Sequence, residues 1–323
     1  MAVLSPPDES DGASLIPARP SAILSLYSHT RISEDINFRV VKMKEIEVGG
    51  ITAAVAELCM KANFELGEDV LAALKQAHRQ EESPLAKDAL EKIIQNAAIA
   101  VEERLPLCQD CGTVVVFIDV GQGVRITGGD INQAIADGVH RGYIEGCLRK
   151  SIVTEPFTDR KNTGDNTPPV IHARIVSGDS LRIAVMPKGG GAENMSRLVM
   201  LKPGAGSRGV IDAVVQAVDE AGGSPCPPLI IGLGIGGSVE KAMLLAKESL
   251  LRKTGTASPD PETAQLERDV LEAVNRLGIG ALGLGGRITA LAVHAETAPT
   301  HIASLPLAIN LQCHSARHRE VVL

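Results

Sequence analysis

Apolar positions recur at helical spacing through the first third of the chain. Ile51, Val55, Leu58 and Cys59 fall on one face, and Val70, Leu71 and Leu74 form a second stripe. A third helix is announced by Ser83-Pro84, an N-cap followed by a first-turn proline, with Leu90, Ile93, Ile94, Ala97 and Val101 behind it and a stop near Pro106. The pattern then changes: Val114 to Ile118 is apolar without alternation and β-branched or aromatic throughout, which predicts a strand covered on both faces. Asp130 and Gln133 resemble a capping box ahead of Ile131, Ile135, Val139, Tyr143 and Leu148, a helix expected to carry Arg149 at its C-terminal end. Strand-like runs follow at 170–176, 181–186, 229–231 and 305–311, and helical ones at 210–221, 238–252 and up to Leu277. The expected class is α+β, a helical N-terminal part followed by mixed β-sheets flanked by helices.

Polar and glycine-rich segments punctuate this pattern. Asn162 to Pro168 has turn chemistry at nearly every position. Lys188-Gly189-Gly190-Gly191-Ala192-Glu193-Asn194 follows a strand, where consecutive glycines suit either a tight turn or a nest of backbone N–H groups for an anion. Gly232 to Gly237 satisfies G-x-G-x-x-G and predicts a close strand-to-helix turn that could bind an anion at the helix N-terminus. A nicotinamide-binding oxidoreductase is the alternative this run raises. Its second strand with an acidic residue about 20 positions on is missing, because 253–261 reads as a loop followed by another helix.

Composition narrows the class. The chain has 323 residues, 44% hydrophobic, enough for a sizeable core. With 32 basic against 39 acidic residues and 2% aromatics, it offers neither a basic footprint nor a stacking platform, so nucleic-acid binding is not expected. No membrane-spanning run or secretory leader is read, and a cytoplasmic protein is expected. Residues 1–37 are rich in Ser, Pro and Asp and predict a flexible N-terminal extension, with one catalytic domain over 38–323.

Six cysteines in a chain this long are not a disulfide framework. Cys59 and Cys147 sit in helix-like patterns and are expected to be buried small hydrophobes. Cys108, Cys226 and Cys313 each stand where a strand or helix meets a loop. Cys108 and Cys111 make a C-x-x-C without a matching second pair, which weakens a zinc ribbon, and a strand rather than a helix follows, which weakens a thioredoxin-like site. Three separated thiolates also suit a cluster with one iron left open, one possibility among several.

Taken together and in order, Leu107-Cys108-Gln109-Asp110-x-Gly112-Thr113, Asn162 to Pro168, Lys188 to Asn194, Cys226-Pro227-Pro228 and Cys313-His314-x-Ala316-Arg317 resemble the class I, iron–sulfur-dependent fumarate hydratases, as their N-terminal domain or α subunit. The resemblance implies a [4Fe–4S] cluster on Cys108, Cys226 and Cys313, and a dicarboxylate substrate held by Gln109, Asp110, Arg149 and the Gly189, Gly190, Gly191 backbone. It also implies that Asp110 and His301 act as a catalytic pair for the proton of the leaving water. The implied reaction is reversible hydration of fumarate to (S)-malate, with L(+)-tartrate dehydratase α subunits as the nearest rival within the family. Cys111 stands where the family usually has Thr. The family's catalytic base lies in a C-terminal domain or β subunit, so the chain is expected to need a separate β subunit, as α2β2.

Overall fold

The computed structural model describes residues 43–323, so the expected extension over 1–37 lies outside the described residues. The first described element is a strand missed by periodicity, β1 (Lys44–Glu47), which buries only Ile46 and pairs in parallel with β3 (Val124–Thr127). Three helices follow, α1 (Val48–Phe64), α2 (Glu68–Gln80) and α3 (Pro84–Glu103). The third begins where Ser83-Pro84 places it, with the Ser83 hydroxyl accepting from the Ala86 N–H.

β2 (Thr113–Gly121) is the covered strand the sequence predicts, and its two faces enter different cores. Val114, Val116 and Ile118 pack with Ile51, Val55, Ile135 and Val139, on α1 and on α4 (Ile131–Glu145). Val115 and Phe117 pack with Val70, Leu74 and Leu90 of α2 and α3. At roughly 2 kcal/mol for each fully buried side chain, this strand anchors both cores. Asp130 caps α4 through the Gln133 N–H, but the Gln133 amide turns to Asp137, so the capping box is half formed. The helix ends at Glu145, and Arg149 lies in the loop beyond it because Gly146 and Cys147, the latter at φ +50°, break the turn. Cys147 is exposed there, unlike the buried Cys59.

β2 is the third strand of a sheet ordered β10-β5-β2-β4, formed with β4 (Val170–Val176), β5 (Leu181–Lys188) and β10 (Arg319–Val322). β4 is parallel to β2, while β5 is antiparallel to it. Beyond β5 come a single helical turn α5 (Gly190–Glu193), strand β6 (Arg197–Leu201) and helix α6 (Gly206–Ala221).

The second sheet, β6-β9-β7-β8, is built from β7 (Leu229–Gly236), β8 (Ala290–Ala298) and β9 (Leu305–Gln312). Here the structure corrects the glycine-turn expectation: Gly232 and Gly234 lie inside β7, and only Gly236 and Gly237, at φ +89° and +70°, make the turn. The reason is close packing. A Cβ at Gly232 would stand 2.1 Å from the Ala246 carbonyl oxygen, and one at Gly234 2.0 Å from that of Ala242, both on α7 (Val239–Glu248). These glycines let a helix lie on the strand, so the nicotinamide alternative loses its phosphate-binding turn. α8 (Pro261–Asn275) covers β8 and α6 from the other side.

Candidate active site

The wiring of the two sheets brings the chemistry to one place. In each, a central strand (β2 or β7) has an antiparallel neighbour (β5 or β9) that ends where the central strand begins. Cys108 and Asp110 lie just before β2, Gly189 to Gly191 just after β5, Cys226 just before β7, and Cys313 just after β9. Four loops separated by up to two hundred positions therefore share a neighbourhood.

Asp110 is the hub. Its Oδ1 accepts from the Gly112 N–H at 2.9 Å and from the Ser151 hydroxyl at 3.3 Å, and its Oδ2 accepts from the Gly190 N–H at 2.8 Å. The glycine run is thus a donor to an anion, and the anion is a side chain of this chain. Gly112, at φ +76°, permits the approach, since a Cβ there would meet the Lys188 backbone at 2.6 Å. A Cβ on Gly191 would stand 3.3 Å from the Ser224 carbonyl oxygen, which puts the run beside the Cys226 loop.

The three loop thiols bear on one another. Burial pushes the Cys226 thiol up, and the Cys313 and Cys108 sulfurs add to it. Burial likewise pushes Cys313 up, against the pull of Arg317 and Lys188. Cys111 is also raised by burial and feels Cys108 among the thiols. Among the described residues no three His, Cys, Asp or Glu side chains enclose a single metal ion. His314 holds two of the loops together: its backbone N–H and its Nδ1, necessarily the protonated nitrogen against a carbonyl, donate to Cys226 O at 3.3 and 2.9 Å.

Two buried cations face this cluster, and sequence reasoning gave neither a role. Arg317 is 2% exposed, donates to Asp110 O at 2.9 Å and Asn63 Oδ1 at 3.0 Å, leaves its Nε unpaired, and has no carboxylate partner among the described residues. Lys188 donates to Leu311 O at 2.7 Å, joining β5 of one sheet to β9 of the other, and pairs with Glu193 at 3.2 Å. Burial lowers its pKa, while Glu193 and the nearby Cys313 oppose that shift. A buried guanidinium without a carboxylate calls for negative charge nearby, and deprotonated thiols would supply it. The only sequence signals for these two residues were their places inside the Lys188 and Cys313 motifs.

Gln109 is exposed, its amide oxygen accepting from the Cys108 thiol at 3.1 Å. Arg149 is exposed, and its guanidinium pairs with no carboxylate among the described residues. The Asn162–Pro168 loop now has a job: Asn162 donates to Lys150 O at 3.0 Å, while Asn166 accepts from Ser151 N at 2.6 Å and donates to Gly112 O at 3.0 Å.

His301 is not brought to Asp110. It is exposed in the turn between β8 and β9, its Nδ1 accepting from the Ala303 N–H at 3.1 Å, and its neighbour Thr300 is tied to Gly237 O at 2.9 Å. That is the far end of β7 from Cys226, roughly 20 Å away at about 3.3 Å per strand residue. A separate groove of about 900 Å³, lined by Arg268, Arg276 and Arg287, contains none of these residues. Among the described residues no helix is long and apolar enough to cross a membrane.

Residues 52–322 match the family described as fumarate hydratase (Fumerase). A provisionally named L(+)-tartrate dehydratase subunit alpha from Methanocaldococcus jannaschii is 43% identical over 272 residues, covering 83% of this chain and 95% of the relative. L(+)-tartrate dehydratase subunits alpha from Escherichia coli and Shigella sonnei are each 31% identical over 276 residues, covering 85% of this chain and 91% of theirs.

Proposed function

This chain belongs to the fumarate hydratase (Fumerase) family, and on that premise we propose that it is the α subunit of a [4Fe–4S]-dependent hydro-lyase that interconverts fumarate and (S)-malate. The observation that carries the reading is the convergence of Cys108, Cys226 and Cys313 with Asp110 and the Gly189–Gly191 backbone at the matched ends of two sheets. The buried Arg317, without a carboxylate partner among the described residues, would offset part of the negative charge of the thiolates, while Lys188 is already shared with Glu193. When bound, such a cluster supplies an open iron as Lewis acid for the substrate hydroxyl and carboxylate.

This chain's own residues hold the substrate and handle the proton of the leaving hydroxyl. Arg149, an unpaired guanidinium on a strap fixed to Asp110, grips a substrate carboxylate with a fork that lysine lacks. The Gln109 amide and the Gly189–Gly191 backbone line the same side. In the hydration direction the Asp110 carboxylate, oriented by three accepted hydrogen bonds, would take a proton from the adding water; in dehydration the protonated Asp110 would return it to the hydroxyl, which leaves as water and restores the carboxylate. The carbon-bound proton is taken by a base on a β subunit, a partner supported by the "subunit alpha" names of the relatives, in an α2β2 assembly. Residues 38–323 act as one catalytic domain. Those relatives' names favour a second reading, L(+)-tartrate as substrate, in which the same residues hold one further hydroxyl.

Anaerobic reconstitution with iron and sulfide, followed by addition of the β-type partner, tests both readings. The expected product is a brown protein that hydrates fumarate only in the complex, with kcat/KM for malate above that for tartrate. The reverse order selects the second reading. Cys226→Ser and Cys313→Ser should each lose cluster iron and activity, and full retention of both in the two variants would falsify the ligand assignment.

A further inference from the structure

Cys111 is the thiol of the 107–113 stretch to which the proposed function gives no role. It is 1% exposed, and its sulfur lies between two backbone groups: it accepts the Arg149 N–H at 3.2 Å and directs its own S–H at Cys108 O at 3.8 Å. Its carbonyl in turn accepts the Tyr143 hydroxyl at 2.6 Å, tying the start of β2 to the end of α4.

Arg149 needs such an anchor. The chain leaves α4 through Cys147 at φ +50° and must then present Arg149 on a segment without regular structure. Beyond Arg149 the strap is held three times, by Asn162 on Lys150 O, by Asn166 on Ser151 N and by the Ser151 hydroxyl on Asp110. On the near side, Cys147 and Leu148 hydrogen-bond back to Ile144 and Tyr143, and the bond that fixes Arg149 itself to the β2 side is the one to the Cys111 sulfur.

We propose that Cys111 is a positioning residue, whose sulfur accepts the Arg149 N–H and so sets where the Arg149 guanidinium meets substrate, and that it is not a metal ligand. The part concerning substrate rests on the reading of Arg149 as a carboxylate grip. A hydroxyl at this position would accept the same N–H, whereas an aliphatic side chain of equal size would leave a part-buried donor unpaired.

The test uses Cys111→Thr, Cys111→Ser and Cys111→Val in the full chain, alone and with the β-type partner. Amide hydrogen exchange at Arg149 reads the bond without activity. It should quicken about tenfold in Cys111→Val and stay within about twofold of the parent in Cys111→Thr. In the complex, KM for malate should rise about tenfold in Cys111→Val with kcat changed less than about threefold, and return to within about twofold in Cys111→Thr. Iron content should match the parent in all three. Should Cys111→Val not fold, Cys111→Ala against Cys111→Ser makes the same contrast. Loss of iron in Cys111→Thr, or Arg149 exchange in Cys111→Val equal to the parent's, overturns the proposal. Absence of activity on every dicarboxylate in the parent complex counts against the proposed function alone, because the exchange contrast still decides the role of Cys111.

Discussion

The two four-stranded sheets share one wiring and are covered differently. In each, a central strand crosses over through helix to a parallel neighbour, and the next strand returns antiparallel on the other flank, β2 to β4 to β5 and β7 to β8 to β9. β2 fills its faces with Val114, Val115, Val116, Phe117 and Ile118, all 5% exposed or less. β7 instead places glycine at 232, 234 and 236, and α7 descends onto its backbone. One central strand is held by side chains on both faces, the other by Leu229, Ile231 and Leu233 on one face and by bare backbone beneath α7 on the other. The site sits at corresponding ends of both, so the contrast concerns scaffolding rather than chemistry.

Breaking that contrast should be most damaging at β7. Gly234→Val puts branched carbon where the Ala242 carbonyl oxygen stands 2.0 Å from an added Cβ, so α7 must lift. The expected loss in urea unfolding is about 4 kcal/mol or more. Val116→Ala, at the matching depth of β2, only opens a cavity and should cost about 2 kcal/mol. Equal costs for the two would mean that α7 is not seated on the strand.

The same contrast explains what the sequence could show. β2 was legible because side chains that pack must be apolar, and the pattern records them. β7 was cut short at Ile231, because a strand stripped to glycine for a helix to rest on looks locally like a turn. β1, β3, β6 and β10 were missed for another reason: four or five residues long and partly exposed, they carry too few buried positions to set a period. Of the residues named through the ordered motifs, Cys108, Cys226, Cys313 and Asp110 lie on the converging loops. The contacts of Arg317, Lys188 and Asn166 were not legible in the sequence, since they depend on partners as distant as Asn63, which lies 254 positions from Arg317. His301 was paired with Asp110 by what the resemblance implies, and within this chain strand direction separates them.

Acid should find the second sheet first. His294 on β8, opposite Gly232, is 1% exposed with both ring nitrogens unpaired. Burial, aided by the Arg252 guanidinium and opposed by Glu267 and Asp69, brings its pKa down to about 4 from the ordinary 6.5. The folded state holds His294 neutral while the unfolded chain protonates it below 6.5, so this contribution is intact above that pH. It is lost progressively as pH falls to about 4, by about 3 kcal/mol in all. His294→Phe should flatten that limb of the stability curve. His172 of β4 in the first sheet is also lowered by burial but is half-buried, and His172→Phe should flatten it less. The opposite ranking would remove the asymmetry.

The smallest effect compares the crossover helices themselves. Asp130 caps α4 with one bond to its carboxylate, from the Gln133 N–H at 2.8 Å, whereas Asp260 caps α8 with two, from the Thr263 N–H at 2.8 Å and its hydroxyl at 2.6 Å. Asp130→Ala should lower the Tm by about 2 °C, as losing a single exposed cap does in a domain of this size. Asp260→Ala should lower it further, because two donors lose their acceptor at once and Thr263 is buried. Thr263→Val separates the two contributions in α8: it deletes the hydroxyl bond while keeping the backbone one. If its Tm equals that of the parent, the extra fall in Asp260→Ala cannot come from the hydroxyl, and the two crossovers are capped alike.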